Sequence, residues 1–278
     1  MIKLFWNTQN QKKPSSTDKK IKEKQESDII WGLYHKKNSD KWVTFIHGAG
    51  GSSSIWFNQV RFFKKYFNVL LIDLRGHGKS EAPPDGVQYN FDQIVNDVIQ
   101  VLDYNNIEKS HFVGISLGSI LIQYMLFNHE NRVEKIGLGG AILNLNLQSR
   151  LLMFFGKLTQ SILPFIWIYT FFAYVIMPYK NHRKSRAYFI NEAKKLSQKE
   201  FKRWYKLTNS ILPQLEKIRG LEFKTPVLYL MGEQDYMFLP FVKKIVKNQK
   251  FSSLKTIVGS GHVVNIDQSE PVSYTHLT

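Results

Sequence analysis

A serine with a glycine two residues to either side, Gly114-Ile115-Ser116-Leu117-Gly118, is the stretch of this chain best suited to chemistry. A hydroxyl becomes a useful nucleophile when a base lies within hydrogen-bond reach and a third group orients that base. The flanks supply the motif's context. A short apolar run from His111 leads into it, and Leu117, Ile120, Leu121, Tyr124 and Met125 follow at helical spacing. Strand, sharp turn and helix together make a nucleophile elbow. The turn forces the serine backbone into a strained conformation, so glycine at 114 and 118 removes side chains that would clash. Ser116 Oγ then stands at the carboxyl end of a strand, over the amino end of a helix. Five residues alone also fit an ordinary Gly-Ser turn, so the rest of the chain has to decide.

The elements that position such a turn are legible on both sides of it. IIWGLYHKK and KWVTFIHG are expected to pair as two strands about a turn at Asn38-Ser39-Asp40. The second runs directly into His47-Gly48-Ala49-Gly50-Gly51. FNVLLIDLRGHGKS gives an apolar strand ending in a polar, glycine-rich loop. Residues 91–104 carry Phe91, Ile94, Val95, Val98, Val101 and Leu102 at helical spacing, and RVEKIGLGGAI is a short strand after the elbow's helix. Strands apolar on both faces, alternating with helices, predict an α/β fold with a mostly parallel central sheet and helices on both faces.

Composition narrows the classes. The 278 residues suffice for one large domain or two small ones, and 43% are hydrophobic, ample for a core. There is no cysteine, which excludes disulfides and thiolate metal sites. The formal net charge of +16 points to anionic partners. No nucleic-acid-binding module accompanies it, so nucleic acid is not an expected partner. MIKLFWNTQNQ is too short an apolar run for a secretory signal, and a cytoplasmic protein is expected. Residues 1–28 are polar and lysine-rich and are expected to form a mobile arm; an electrostatic membrane tether is the alternative.

HGAGG after one strand, DLRGHGKS after the next and GISLGS at the elbow resemble, in that order, the α/β-hydrolase superfamily. Within it the likeness is to small microbial esterases, enol-lactonases and related ring-cleavage hydrolases. It covers residues 29–147 and again 223–267. The resemblance implies a triad in the chain order Ser, Asp or Glu, His. TPVLYLMGEQDYMFLP is an apolar strand followed by a loop holding Glu233 and Asp235, and LKTIVGSGHVVN ends in a glycine-flanked His262. The family's G-x-x-D matches Gly232 and Asp235, so Asp235 is the expected acid and Glu233 the alternative. The resemblance also assigns the oxyanion donors to the backbone N–H groups of Ala49 and Leu117. It gives His47, Gly48, Gly114 and Gly118 the task of shaping the site. Asp73, Arg75 and His77 are expected to tie one turn together. His35, His111, His129, His182 and His276 lack motif context and are expected at the surface or in packing. No cofactor and no metal are expected.

Residues 148–222 separate the two core parts, 29–147 and 223–278, and the resemblance makes them a helical lid over the acyl pocket. Residues 158–179 carry no charge, a length that invites a transmembrane helix. Pro164, Gln160, Ser161 and Thr170 oppose it, as does the need for the two halves of the sheet to meet. Two readings stay open. In one, the run is the buried face of the lid helices. In the other, Phe165, Trp167, Phe171, Phe172 and Tyr174 line a long apolar pocket and partly touch an anionic membrane surface. From 148 to 224, 15 Lys or Arg stand against 4 Glu, and greasy followed by basic is what interfacial attachment uses.

The expected activity is cofactor-free cleavage of small-molecule carboxylic esters with an apolar acyl group, through Ser116, His262 and Asp235. A thioesterase, C–C bond hydrolase or acyltransferase would use the same three residues. A non-catalytic receptor for hydrophobic ligands and a peripheral membrane protein are the readings from other classes. After His262 the resemblance implies a closing helix of a dozen or more residues. VSYTHLT has no helical apolar stripe, so the chain is expected to break off as that helix starts at Pro271.

Overall fold

The computed structural model describes residues 29, 31–36, 39–219 and 223–274. The basic arm expected over 1–28, Asn38 of the expected turn, and His276 lie outside the described residues.

Seven strands form one sheet: β1 (Trp31–Tyr34), β2 (Trp42–Ile46), β3 (Asn68–Ile72), β4 (Ser110–Ile115), β5 (Val133–Gly139), β6 (Val227–Gly232) and β7 (Ser252–Ile257). Their spatial order is β1-β3-β2-β4-β5-β6-β7, and every neighbouring pair is parallel except β1 against β3. The expected pairing of the first two strands is therefore corrected, because β3 lies between them. All five residues of β3 are buried, which suits an interior strand, whereas the partly exposed β1 suits an edge. β7 likewise departs from the expected two-sided burial: as the opposite edge it leaves much of its length exposed.

Helix α1 (Phe57–Phe63) connects β2 to β3, α2 (Phe91–Tyr104) precedes β4, and α3 (Leu117–His129) follows it. Between β5 and β6 the chain inserts α4 (Leu147–Thr159), α5 (Phe165–Ile176), α6 (Arg183–Ala193), α7 (Gln198–Leu207) and α8 (Ile211–Ile218). Helix α9 (Leu239–Val246) follows β6; α10 (Val264–Asp267) and α11 (Ser269–Tyr274) follow β7. The predicted amphipathic stretch is α2: its six periodic apolar residues are all buried, and Asn90 caps it by accepting from Gln93 N at 2.8 Å. Such a cap is worth about 1 kcal/mol.

Side-chain alternation along the strands divides the core in two. Leu70 and Ile72 face α2, α3, α8 and α9, while Val69 and Leu71 join Phe45, Trp56 and Phe63 on the other face. Helices thus cover both faces of a mostly parallel sheet, with a helical insertion after β5. Among the described residues no helix is long and apolar enough to cross a membrane. The uncharged run is broken between Thr159 and Phe165, where α4 ends and α5 begins. Residues 272–274 continue α11, and Val272 is buried against the α1 side of the core.

Strand order reverses within the sheet between β2 and β4: successive strands leave β2 toward one edge and β4 toward the other. Such a switch point opens a crevice beyond the strands' carboxyl ends. Ile46 pairs beside Gly114, so the loops that follow these two strands are neighbours.

Candidate active site

Ser116 occupies the turn between β4 and α3 with φ 54° and ψ −117°, one of two described non-glycine residues at positive φ. A conformation of this kind costs of order 1–3 kcal/mol and persists only where its surroundings enforce it. Close packing does so here. A Cβ at Gly114 would lie 2.8 Å from the backbone of Gly118, and one at Gly118 would collide with the Ile46 carbonyl and lie 2.8 Å from that of His47. Backbone cannot yield as a side chain can, so both positions require glycine for close approach.

The structure brings three of the predicted residues together across 146 positions. His262 Nε2 lies 3.0 Å from Ser116 Oγ, and His262 Nδ1 lies 2.8 Å from Asp235 Oδ2. Asp235 is buried on the loop after β6, where Oδ1 also accepts from Phe238 N at 3.2 Å. Glu233, the alternative acid, is exposed and accepts from Gly259 N at 3.4 Å. With a carboxylate on Nδ1, that nitrogen carries the proton and Nε2 is left to accept from the serine.

Ala49 and Leu117 line the same cavity as Ser116. Leu117 is the first residue of α3, so its N–H is one of the donors that a helix leaves without an intrahelical acceptor. His47 and His77 fix the loop that carries Ala49. His47 donates from Nδ1 to the Gly48 carbonyl at 2.7 Å and accepts from Leu74 N at 3.0 Å. His77 accepts from Gly50 N at 3.0 Å and donates to the Arg75 carbonyl at 3.2 Å. Each ring therefore has an acceptor nitrogen, which requires the neutral form. Asp73 accepts from Ser53 N and Lys79 N, as a turn-tying residue would. Arg75 instead pairs with Asp97 on α2, a departure from the expected three-residue tie.

Burial, and after it the adjacent His47, push the His77 imidazole down to about 3; burial also holds His47 below its ordinary value. The unfolded chain therefore binds protons that the folded chain refuses. Stability from this source is complete above pH 6.5 and is lost as pH falls toward about 3, by about 1.4 kcal/mol per pH unit for His77. Urea midpoints should drop across that window, and the slope should shrink in His77→Gln. An equal slope in the variant would contradict the assignment.

Above Ser116 lies a cavity of about 210 Å³, walled by Met153, Tyr169, Phe172, Ile176, Phe201 and Tyr205 among others. Of the four pocket aromatics predicted from sequence, only Phe172 lines it. Phe165 packs instead on Phe201, Phe171 on Phe155, and Trp167 points outward at 64% exposure. Tyr174, the fifth aromatic of the open reading, is exposed too. Helix geometry is the reason: positions 168, 169, 172, 173 and 176 share the inner face of α5, and 167, 171 and 174 share the outer one.

Sequence reasoning missed two site residues. Tyr169 stands so close over the HGAGG loop that a Cβ at Gly50 would collide with its hydroxyl. His182 is fully buried and places Nε2 2.8 Å from Gln234 Oε1, one residue before Asp235. No motif marks either residue. A hollow of about 1400 Å³ also exists, but it lies at the amino ends of β2, β4, β5 and β6, away from Ser116.

Sheet order, switch point and elbow define the α/β-hydrolase fold. Residues 41–162 match the family model described as alpha/beta hydrolase fold. The chain has the α/β-hydrolase fold. It is 33% identical over 94 residues to 3-oxoadipate enol-lactonase 2 of Acinetobacter baylyi, an alignment spanning 34% of each protein. It is 30% identical over 99 residues to protein ABHD8 of Homo sapiens, spanning 35% of this chain and 23% of that one. The chain thus aligns with 34% and 23% of the length of these two curated relatives. The crystal structure of the enol-lactonase from Burkholderia xenovorans superposes with a TM-score of 0.72 over 88% of this chain and 93% of that one. At 18% identity that is a likeness of fold.

Proposed function

We propose that the protein is a serine hydrolase that cleaves carboxylic esters with an apolar acyl group. The observation that carries the reading is the hydrogen-bonded chain Ser116–His262–Asp235 opening onto an apolar cavity. Ser116 Oγ attacks the acyl carbonyl carbon while His262 Nε2 takes its proton. The N–H groups of Ala49 and Leu117 hold the oxyanion, and Asp235 stabilises the imidazolium. The C–O bond to the alcohol breaks as His262 returns the proton to the leaving oxygen, leaving an acyl-serine. A water deprotonated by His262 attacks that ester, and the proton passes back to Ser116 as the acid departs. The enol-lactonase relative supports this reading at the level of hydrolysis.

Walls made of Met, Phe and Ile favour methylenes over polar acyl groups. Each methylene removed from water contributes up to about 0.8 kcal/mol, so p-nitrophenyl butyrate should exceed the acetate in kcat/KM by roughly tenfold. Hexanoate should exceed both. A decline from acetate to hexanoate would contradict the apolar acyl site.

A further inference from the structure

Ten of the sixteen large hydrophobic residues most exposed in the described structure fall between residues 147 and 179. On α4 they are Phe155 together with Leu147, Leu151, Phe154 and Leu158, the last four spaced four, three and four apart, which places them on one stripe of the helix. On α5 the outer residues Trp167, Phe171 and Tyr174 repeat the four-three spacing. Phe155 and Phe171 touch, with ring centroids 5.2 Å apart, so the two stripes join into one surface. The opposite faces of the same helices carry Met153, Tyr169, Phe172 and Ile176 into the cavity over Ser116. Packing thus accounts for the inner faces only. Scattered exposed apolar residues are ordinary on a protein surface, whereas a joined patch marks a binding face.

Charge identifies what the face meets. Residues 147–191 contain six Lys or Arg and no Asp or Glu. Arg150 and Lys157 are exposed on α4, on the flank of its apolar stripe, and Lys180, Arg183 and Lys184 are exposed where α6 begins. Arg186 lies over the Tyr174 ring at 4.9 Å, at the patch edge. A second copy would set these like charges against one another, on chains of net charge +16. An anionic bilayer complements both parts, taking the apolar side chains below its headgroups and the cations among them. Tryptophan and tyrosine at the outer face suit that depth.

We propose that the outer faces of α4 and α5 dock the protein onto anionic lipid surfaces, with the cavity above Ser116 behind the docked helices. The docking is independent of what Ser116 does. The test is co-sedimentation of the full chain with phosphatidylcholine vesicles prepared with and without phosphatidylserine, at low and high salt. Wild-type protein should bind the phosphatidylserine vesicles at low salt, and more weakly at high salt. The Leu151→Gln, Phe154→Gln, Leu158→Gln triple variant should bind at least about tenfold more weakly. It should keep wild-type circular dichroism and wild-type turnover of a soluble p-nitrophenyl ester. Should that variant misfold, Arg150→Gln with Lys157→Gln reads the same contact, at about fivefold weaker binding per cation. Absence of wild-type binding at low salt, or unchanged binding by folded variants of both kinds, overturns the proposal. So does a lipid-free wild-type dimer that the triple variant abolishes, which would make the face an interface between copies.

Discussion

Asp235→Asn is expected to lower kcat by about 10⁴-fold, while Glu233→Gln leaves it within about twofold. The large effect follows from the number of acceptor atoms on the acid. Asp235 uses Oδ1 for Phe238 N and Oδ2 for His262 Nδ1. Asparagine has one acceptor oxygen, and when it meets the Phe238 N–H its amide NH₂ faces the imidazole. The ring then accepts at Nδ1 and carries its proton on Nε2, where it can no longer take one from Ser116. Glu233 is exposed and contacts neither ring nitrogen, so its charge is expendable. Steady-state kinetics on p-nitrophenyl butyrate separates the two carboxylates. A comparable loss in Glu233→Gln would mean that the two carboxylates exchange roles.

Ser116→Ala and His262→Ala should each lower kcat by about 10⁴-fold or more, and the double variant should be no slower than either single one. Independent contributions would multiply to about 10⁸-fold. Groups that act as one unit do not behave so, because the base has nothing to deprotonate once the hydroxyl is gone. The 3.0 Å contact between them is the structural form of that dependence. Residual hydrolysis in all three variants would come from the Ala49 and Leu117 N–H groups and from substrate binding alone.

The site was legible in the sequence where chemistry restricts the residue types. An elbow needs small residues beside its nucleophile, so Gly114 and Gly118 stand out in any reading of the chain. The order of strand, loop and polar residue then led to Asp235 and His262. Helix α2 was equally legible, because its polar and apolar positions alternate with the helical period. Helix α5 was not. FIWIYTFFAYVI is apolar on every side, and a period cannot be read where there is no contrast. Trp167 and Phe171 were accordingly expected in the pocket that Tyr169 and Phe172 line. Strand pairing is hidden for a related reason. Sequence adjacency favours a hairpin, but β3, buried along its whole length, takes the place between β1 and β2. His182 and Tyr169 act through contacts with residues more than 50 and 100 positions away, which no local pattern encodes.

The proposed hydrolysis requires Ser116 to be a nucleophile activated by His262. Its most direct test is covalent labelling with a fluorophosphonate, mapped by peptide mass spectrometry on wild-type protein and on the Ser116→Ala and His262→Ala variants. A single adduct on Ser116 in the wild type, absent from Ser116→Ala and strongly slowed in His262→Ala, is the predicted result. An adduct at another residue, or labelling that persists in Ser116→Ala, would contradict it.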